Sequence, residues 1–146
     1  MKFAWRKPGG LPECPYFRLS LIGLFGYSIR VHEWLGDDDR EALHDHPHDF
    51  ATLVLKGGYT DVTDAGREVV RAGSFRFRAA EHRHAVLEVL PGTVTLLFVW
   101  PPRRRWGFWV DGKLIKRDKF FVTKGHHGCA PDGPRVRRRP DGTRVT

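Results

Sequence analysis

Apolar and polar residues alternate along most of the chain with a period of two. From Tyr16 onward, for example, Phe17, Leu19 and Leu21 alternate with more polar neighbours. This period is typical of β-strands that bury one face. Further segments of this kind follow at short intervals, and turns that contain Gly or Pro separate them. The further predicted strands are 29–34, 51–56, 59–63, 67–71, 74–78, 85–90, 94–100 and 106–110. The pattern therefore predicts an all-β barrel or sandwich.

Three local features complete the predicted organisation. Gly57 and Gly58 separate two strand segments and predict a β-hairpin with positive φ in its turn. The acidic stretch 37–43 alone has helical character, and we expect a surface loop or a short helix there. Beyond Thr123 the chain is basic, contains Pro and Gly and has few apolar residues. We therefore expect three parts, which are an N-terminal arm (1–15), a β-barrel domain (16–123) and a flexible basic tail (124–146).

Length and composition agree with one domain and limit its environment. A chain of 146 residues with 40% hydrophobic content can bury a single core. The net charge of +8 suggests an anionic partner, but the arginine runs 103–105 and 137–139 contribute to it and the second lies in the tail. The sequence contains two cysteines, Cys14 and Cys129, and the start of the chain lacks an apolar signal segment. Because no apolar stretch approaches the roughly 20 residues that cross a bilayer, we expect a soluble, cytoplasmic protein without a membrane partner.

The strongest chemical signal is a set of histidines at the borders of predicted strands. His44 and His46 lie one residue apart, and His84 follows 38 residues after His46. Side chains at positions i and i+2 of a strand point to the same face, so His44 and His46 offer two neutral ligands to one point. His84 begins another strand and could supply the third. The alternative is that these histidines are solvated loop residues, but the paired arrangement favours a metal site.

The spacing of these histidines resembles the first motif of the cupin superfamily. That motif is Gly, five residues, His-x-His, three or four residues, Glu, six residues, Gly. When His44 and His46 are aligned with its histidines and Gly57 with its final Gly, Phe50 takes the place of the Glu and Asp38 that of the first Gly. The usual carboxylate ligand is therefore absent from this alignment.

The second cupin motif is also matched in its spacing. It reads Gly, five residues, Pro-x-Gly, two residues, His, three residues, Asn. Counting from Gly73 places Ala79, Glu81, His84 and Glu88 at the Pro, Gly, His and Asn positions. The resemblance extends over about 16–109. It implies a double-stranded β-helix, a jelly-roll-like barrel of two antiparallel sheets with a metal pocket between them.

The resemblance implies one divalent metal ion held by His44, His46 and His84. His48, Asp49 and His82 are alternate ligands, although Asp49 should face away from the His44 side by its parity. Three neutral ligands leave two positive charges uncompensated, which favours anionic or chelating substrates and leaves open positions for water or oxygen. This is similar to the iron site of thiol dioxygenases, so we favour Fe(II). Ni, Mn, Zn or Cu would fit the same imidazoles.

Other residues are candidates for catalysis or substrate binding. Glu88 shares the predicted inward side with His84 and could orient a ligand or accept a proton, and Tyr59 could donate a hydrogen bond to the substrate. The alternative for Tyr59 is an ordinary strand residue.

Two pairs of residues could contact the substrate. Arg30 and His32 share one strand face, which either borders the pocket or is simply exposed. Arg76 and Arg78 could hold a carboxylate or a phosphate if their face lines the barrel. We favour the outer face for these two arginines, because the neighbouring Phe75 and Phe77 need burial.

The arginine triplet 103–105 lies among aromatic residues, namely Trp100, Trp106, Phe108 and Trp109. Such a mixture could bind nucleic acid through stacking and phosphate contacts. We favour a closed barrel end or a homodimer face instead. For His126, His127 and Cys129, we favour a solvated tail over a zinc site, since no second cluster completes the coordination.

These observations lead to three hypotheses about function. The favoured one is a metal-binding cupin enzyme, an oxidoreductase of the dioxygenase kind that uses Fe(II) on a small polar or anionic substrate, with Phe50 keeping the pocket dry. The second is a non-catalytic module that binds or senses a metabolite. The third is a metal-independent sugar isomerase or epimerase with His46 or His84 as the general base.

Overall fold

The computed structural model describes residues 1–11, 14–39 and 42–124. In this part the chain forms twelve strands and one helix. In chain order these are β1 (Lys2–Leu11), β2 (Cys14–Leu24), β3 (Tyr27–Trp34), β4 (Leu43–His44), β5 (Phe50–Lys56), β6 (Gly58–Thr63), β7 (Gly66–Arg71), β8 (Phe75–Arg78), β9 (Ala85–Leu87), β10 (Val94–Val99), β11 (Gly107–Val110), β12 (Lys113–Lys116) and α1 (Arg117–Lys124). The predicted all-β class is confirmed.

The strands form three antiparallel sheets. The largest has six strands in the order β1-β2-β3-β10-β5-β8, and two smaller sheets have the orders β7-β6-β9 and β12-β11-β4. An isolated antiparallel bridge between His44 and His84 joins the two smaller sheets. The smaller sheets thereby form a second layer that meets at these two histidines.

The main core lies between the large sheet and the β7-β6-β9 sheet. Its buried residues are Val54, Tyr59, Val70 and Val86, and Trp34 packs against them. Because these residues come from strands of both sheets, burial of their apolar surface holds the two layers together. A second cluster under α1 contains Phe108 and Phe120, whose rings stack with their centroids 3.9 Å apart.

The predicted hairpin at Gly57 and Gly58 is wrong. β5 pairs with β10 and β8, whereas β6 pairs with β7 and β9, so the chain passes from one sheet to the other at Gly57. Gly57 does have positive φ, at 74°, and a Cβ there would lie 2.3 Å from Oγ1 of Thr93. Gly57 therefore allows the chain to pass from one layer to the other and does not form a hairpin turn.

The ends of the chain and the acidic stretch complete the fold. Residues 2–11, which we expected as an arm, form β1 and pair with β2 at the edge of the large sheet. The described residues of 37–43 contain no helix, whereas α1 was not predicted.

Among the described residues, no helix has the length and apolar character needed to span a bilayer. The predicted tail, with His126, His127 and Cys129, lies outside the described residues apart from Lys124.

Candidate metal centre

Three imidazoles meet where the two smaller sheets join. The ring centroids are 4.9 Å apart for His44 and His46, 4.8 Å for His44 and His84, and 5.1 Å for His46 and His84. One ligand nitrogen from each ring lies within 4.8 Å of the others. The backbone bridge sets this geometry, because the N–H of His44 donates to O of His84 at 2.8 Å and the N–H of His84 donates to O of His44 at 3.0 Å. This group could hold a metal ion.

Asp61 supports His84 from behind, and the sequence analysis did not single it out. Its Oδ1 lies 2.6 Å from Nδ1 of His84, and its Oδ2 accepts a hydrogen bond from Arg78 at 2.8 Å. With Nδ1 engaged by a carboxylate, Nε2 of His84 is the nitrogen available to a cation. One feature of the sequence could have indicated it. Asp61 lies two residues after the candidate Tyr59 in β6, so the two side chains share a face of the strand.

The charge state of Asp61 follows from its contacts. Burial raises the pKa of the Asp61 carboxyl, but contacts with His82, His84 and Arg78 lower it more, so the net shift is strongly downward. The carboxyl is therefore ionised at neutral pH and can stabilise positive charge on the far side of the imidazole.

Asp38 lies behind His44 and was also missed as a site residue. Its Oδ2 is 3.6 Å from Nδ1 of His44 and accepts a hydrogen bond from the N–H of Val86 at 2.8 Å. Burial raises the pKa of this carboxyl to about 7. Two of the three imidazoles thus have a buried aspartic acid side chain near Nδ1, a common arrangement behind metal-binding histidines.

His46 has a different environment from the other two histidines. Its Nδ1 is buried without a hydrogen-bond partner among the described residues, and its ring lies 4.5 Å from that of Phe50. Burial, followed by the nearby imidazoles of His44 and His84, lowers the pKa of His46 well below its usual value. The imidazole therefore stays neutral, which is the form that binds a metal.

The three alternate ligands lie outside the triangle, in different positions relative to it. The ring centroid of His48 is 6.3 Å from that of His46. His82 Nε2 is 3.7 Å from Oδ2 of Asp61, and Asp61, His82 and His84 form a second group that could hold a metal ion. Asp49 is turned away, since its Oδ1 accepts hydrogen bonds from the N–H of Ala80 and from Arg103, both at 2.7 Å.

Asp45, between the first two histidines, anchors them to β11 of the same sheet. Its side chain is 1% exposed. One oxygen accepts the N–H of Gly107 at 2.9 Å, and the other accepts from Nε1 of Trp109 at 3.0 Å and from Arg104 at 2.8 Å. Because adjacent residues of an extended chain point to opposite faces, this anchoring directs His44 and His46 the other way.

The three histidines line a cavity of about 650 Å³ between the two layers. Of the residues that the sequence suggested for substrate binding or catalysis, the cavity wall includes Arg30, His32, Tyr59, Arg76 and Arg78. Phe50, in the position of the usual cupin Glu, also lines it and is 4% exposed. The volume lies within the usual range of small-molecule sites, roughly 300–1,000 Å³.

The favoured outer-face position of Arg76 and Arg78 is wrong. Both arginines are half-buried and line the cavity, whereas Phe75 and Phe77 are each 56% exposed on the opposite face of β8. The acidic partners on β6 and β7 explain the orientation, because Arg76 binds the exposed Glu68 and Arg78 binds the buried Asp61. The Phe77 ring instead contacts Trp100 on the outside.

Glu88 lies outside the cavity, contrary to its predicted inward direction. β9 ends at Leu87, and Glu88 adopts a φ of 52°. Its carboxylate is directed to the surface, where it accepts a hydrogen bond from Thr60 at 2.6 Å and pairs with Arg67. The alternation of the strand therefore no longer applies at this position.

The aromatic residues around the arginine triplet pack mostly within the chain. Trp106 joins the cluster of Phe108 and Phe120, and Trp109 is covered by the guanidinium of Arg83, 3.3 Å from the ring centroid. The first two arginines of the triplet have carboxylate partners, since Arg103 pairs with Asp49 and Glu81 and Arg104 pairs with Asp45. These contacts hold the aromatic residues and arginines against the rest of the chain, and both the closed barrel end and the homodimer face stay predictions.

Comparison with known proteins gives likenesses in structure alone. No family model matches the sequence, and no curated protein matches it. A provisionally assigned mannose-6-phosphate isomerase from Ralstonia eutropha JMP134 is 20% identical, with a TM-score of 0.53 over 69% of this chain and 99% of that chain. Ectoine synthase from P. lautus is 12% identical, with a TM-score of 0.50 over 60% of this chain and 66% of that chain.

An RmlC-like cupin protein from Desulfovibrio desulfuricans is 18% identical, with a TM-score of 0.48 over 60% of this chain and 84% of that chain. At such identities a likeness concerns the fold and not the activity. The two likenesses with TM-scores of 0.50 or more agree with the two-layer arrangement of antiparallel sheets. The chain therefore shares an antiparallel β-barrel fold with the Ralstonia eutropha protein and with ectoine synthase.

Proposed function

We propose that this protein is a metal-dependent oxygenase that uses Fe(II) and acts on a small anionic molecule. The observation that carries the proposal is the triangle of His44, His46 and His84, together with the ionised Asp61 behind His84. Three neutral nitrogen ligands on one side of an ion leave coordination positions open for other ligands. This set of three imidazoles is suited to Fe(II). When bound, such an ion would supply Lewis-acid and redox chemistry.

The surrounding residues would prepare the site for this chemistry. Phe50 and the core residues around it exclude water from one side of the histidines. Burial raises the pKa of Tyr59, so its phenol stays protonated and can donate a hydrogen bond to a molecule in the cavity. Asp61 and Asp38 fix the orientation of two imidazoles. These residues bind, orient and shield, which are the roles that the protein part of a metal enzyme must perform.

A metal-independent isomerase or epimerase is the second candidate. The observation in its favour is the same His84–Asp61 pair, because a buried carboxylate 2.6 Å from an imidazole can make that imidazole a general base. The assignment of the Ralstonia eutropha neighbour belongs to the same broad class of reaction. Metal content separates this candidate from the oxygenase.

The first experiment measures bound metal in the purified full-length protein by mass spectrometry. His46→Ala is the preferred variant, because Nδ1 of His46 has no hydrogen-bond partner among the described residues and its loss leaves no carboxylate unpaired. His48→Ala is the matched control, since it removes a nearby imidazole outside the triangle. We expect about one equivalent of iron in the wild type and in His48→Ala, and loss of iron in His46→Ala.

The second experiment measures oxygen consumption by the iron-loaded protein with a panel of small carboxylic acids. Uptake that depends on both iron and His46 supports the oxygenase. Bound iron without oxygen uptake would favour a non-catalytic module that binds a metabolite. Absence of bound metal after reconstitution with Fe(II), Mn(II), Ni(II), Zn(II) and Cu(II) would contradict the proposal and favour the isomerase. An anomalous-scattering map at the iron edge would identify the ligands directly.

A further inference from the structure

Arg30 occupies an unusual position in the cavity wall. It lies on the inner face of β3, where its neighbours across the sheet are Leu21 of β2 and Leu97 of β10. Both neighbours are apolar, so the sheet places no carboxylate beside the guanidinium. Arginine stays charged at neutral pH, and a buried charge without a partner is costly.

The hydrogen bonds of Arg30 leave most of its guanidinium available. Its Nε donates to Oγ of Ser28 at 2.9 Å, and no carboxylate among the described residues forms an ion pair with it. Burial lowers the pKa of Arg30, which is the direction expected when a cation is desolvated without an anionic neighbour.

Two histidines next to Arg30 also have unsatisfied nitrogens. His32 follows on the same face of β3, and both of its ring nitrogens are buried without a hydrogen-bond partner among the described residues. Its ring is held by stacking on Phe17, with centroids 4.3 Å apart. Nδ1 of His48 is likewise buried and without a partner in the described part of the chain. All three residues line the cavity.

Three further arginines line the cavity and differ from Arg30, because each has a carboxylate partner, which for Arg117 is Asp118. Arg76 binds Glu68, and Arg78 binds Asp61 and lies 3.5 Å from Glu68. Their positive charges are therefore compensated within the chain. This contrast leaves Arg30 as the arginine of the cavity wall that lacks a carboxylate partner among the described residues.

We propose that Arg30, His32 and His48 form a subsite that binds the carboxylate of the substrate. A single guanidinium matches the single negative charge of a carboxylate and can bind it through two parallel hydrogen bonds. A neutral histidine adds one N–H donor. A phosphate monoester, which carries up to two charges, would find no second arginine without a carboxylate partner in the described cavity wall.

The position of the subsite connects it to the metal centre. The rings of His48 and His46 have their centroids 6.3 Å apart, so a molecule of a few carbon atoms that binds at the subsite is long enough to reach the three histidines. Apolar side chains surround the subsite, among them Phe17, Leu19 and Leu97. The ligand class is therefore a small monocarboxylic acid with an apolar substituent. That this acid is the substrate rests on the proposed function, whereas its binding at Arg30 does not.

The test uses hexanoate as the probe, with hexanol and monohexyl phosphate as matched compounds of the same chain length. Binding to the purified full-length protein is followed by NMR titration. We expect hexanoate to bind more tightly than either matched compound. Arg30→Met, which keeps the length of the side chain and removes its charge, should weaken hexanoate binding by about tenfold or more and leave hexanol binding unchanged. Arg67→Met, a surface arginine paired with Glu88, is the control for the substitution itself.

His46→Ala distinguishes this subsite from direct binding to the metal. Retention of hexanoate binding in His46→Ala, together with its loss in Arg30→Met, supports the subsite even if no metal is found. Loss in His46→Ala with retention in Arg30→Met would show that the carboxylate binds the metal, which would overturn the subsite and leave the metal proposal intact. Loss in Arg76→Met but not in Arg30→Met, or equal affinity for hexanoate and hexanol, would also overturn it. Unchanged thermal unfolding of Arg30→Met verifies that the variant is folded.

Discussion

Nδ1 of His84 lies 2.6 Å from Oδ1 of Asp61, and both side chains are buried. The pair joins β6 to the start of β9 inside one sheet, so the orientation of the imidazole depends on the pairing of these two strands. A carboxylate at this distance selects the tautomer that has its proton on Nδ1 and leaves Nε2 as the metal ligand.

The first prediction concerns Asp61→Asn. The amide can present either an acceptor or a donor to His84, so the tautomer is no longer selected and the negative charge behind the ring is lost. We expect metal affinity to fall by roughly 10- to 100-fold, measured by competition with a chelator of known affinity. Glu68→Gln is the control, because Glu68 contacts Arg76 and Arg78 but not His84. Equal losses in both variants would mean that only the charge of the cavity matters.

The second prediction concerns the anchor between the first two histidines. Asp45→Asn removes a buried charge from its contacts with Arg104, Trp109 and the N–H of Gly107. We expect the free energy of unfolding to fall by about 2 to 4 kcal/mol, measured by urea denaturation. Asp64→Asn is the control, since Asp64 is 73% exposed and 3.9 Å from Arg83, and it should change stability by less than about 0.5 kcal/mol.

The third prediction concerns stability at acidic pH. Burial, followed by the nearby Arg30 and His48, lowers the pKa of His32 from 6.5 to about 3. Below pH 6.5 the unfolded chain therefore takes up a proton at this position that the folded chain does not. Stability should fall as the pH decreases from about 6.5 toward 3, by up to about 1.4 kcal/mol per pH unit from this residue.

Thermal unfolding of the wild type and of His32→Phe over this range checks the third prediction. The phenyl ring can still stack on Phe17 but cannot titrate, so the variant should show a shallower decrease. Parallel curves for the two proteins would mean that His32 is protonated equally in the folded and unfolded states, contrary to its burial.

The fourth prediction compares two glycines of positive φ. Gly57 has a φ of 74°, and an added Cβ would lie 2.3 Å from Oγ1 of Thr93, whereas Gly73 has a φ of 88° with nothing within 4 Å. Gly73→Ala should cost about 1 kcal/mol of stability through backbone strain alone. Gly57→Ala should cost about 2 to 4 kcal/mol, because the overlap adds to that strain. Similar losses, measured by urea denaturation, would mean that the crossing between the sheets adapts easily.

Much of the fold could be predicted from local sequence. The period-two pattern located most strands, because alternation is a property of the single strand and does not depend on its partners. The alternation does not show which strands pair with each other. The strands on either side of Gly57 look like a hairpin in the sequence, yet each finds its hydrogen bonds in a different sheet.

The candidate site shows the same division between local and tertiary information. The spacing of His44, His46 and His84 singled out the three imidazoles from sequence alone. Asp61 and Asp38 could not be found in the same way, because their contacts with histidines join residues that are distant in the chain. Glu88 was misplaced because its positive φ interrupts the alternation on which its predicted direction depended.

The order of residues is sufficient to show which side chains share a face of a strand, since neighbouring residues must point to opposite sides of an extended backbone. Which of the two faces is turned inward depends on how the sheets assemble. On β8, the ion pairs of Arg76 and Arg78 with Glu68 and Asp61 accompany the exposure of Phe75 and Phe77, against the expectation from hydrophobicity. That choice depends on which charges the second layer places opposite the strand, and pairing across a cavity is a property of the assembled sheets.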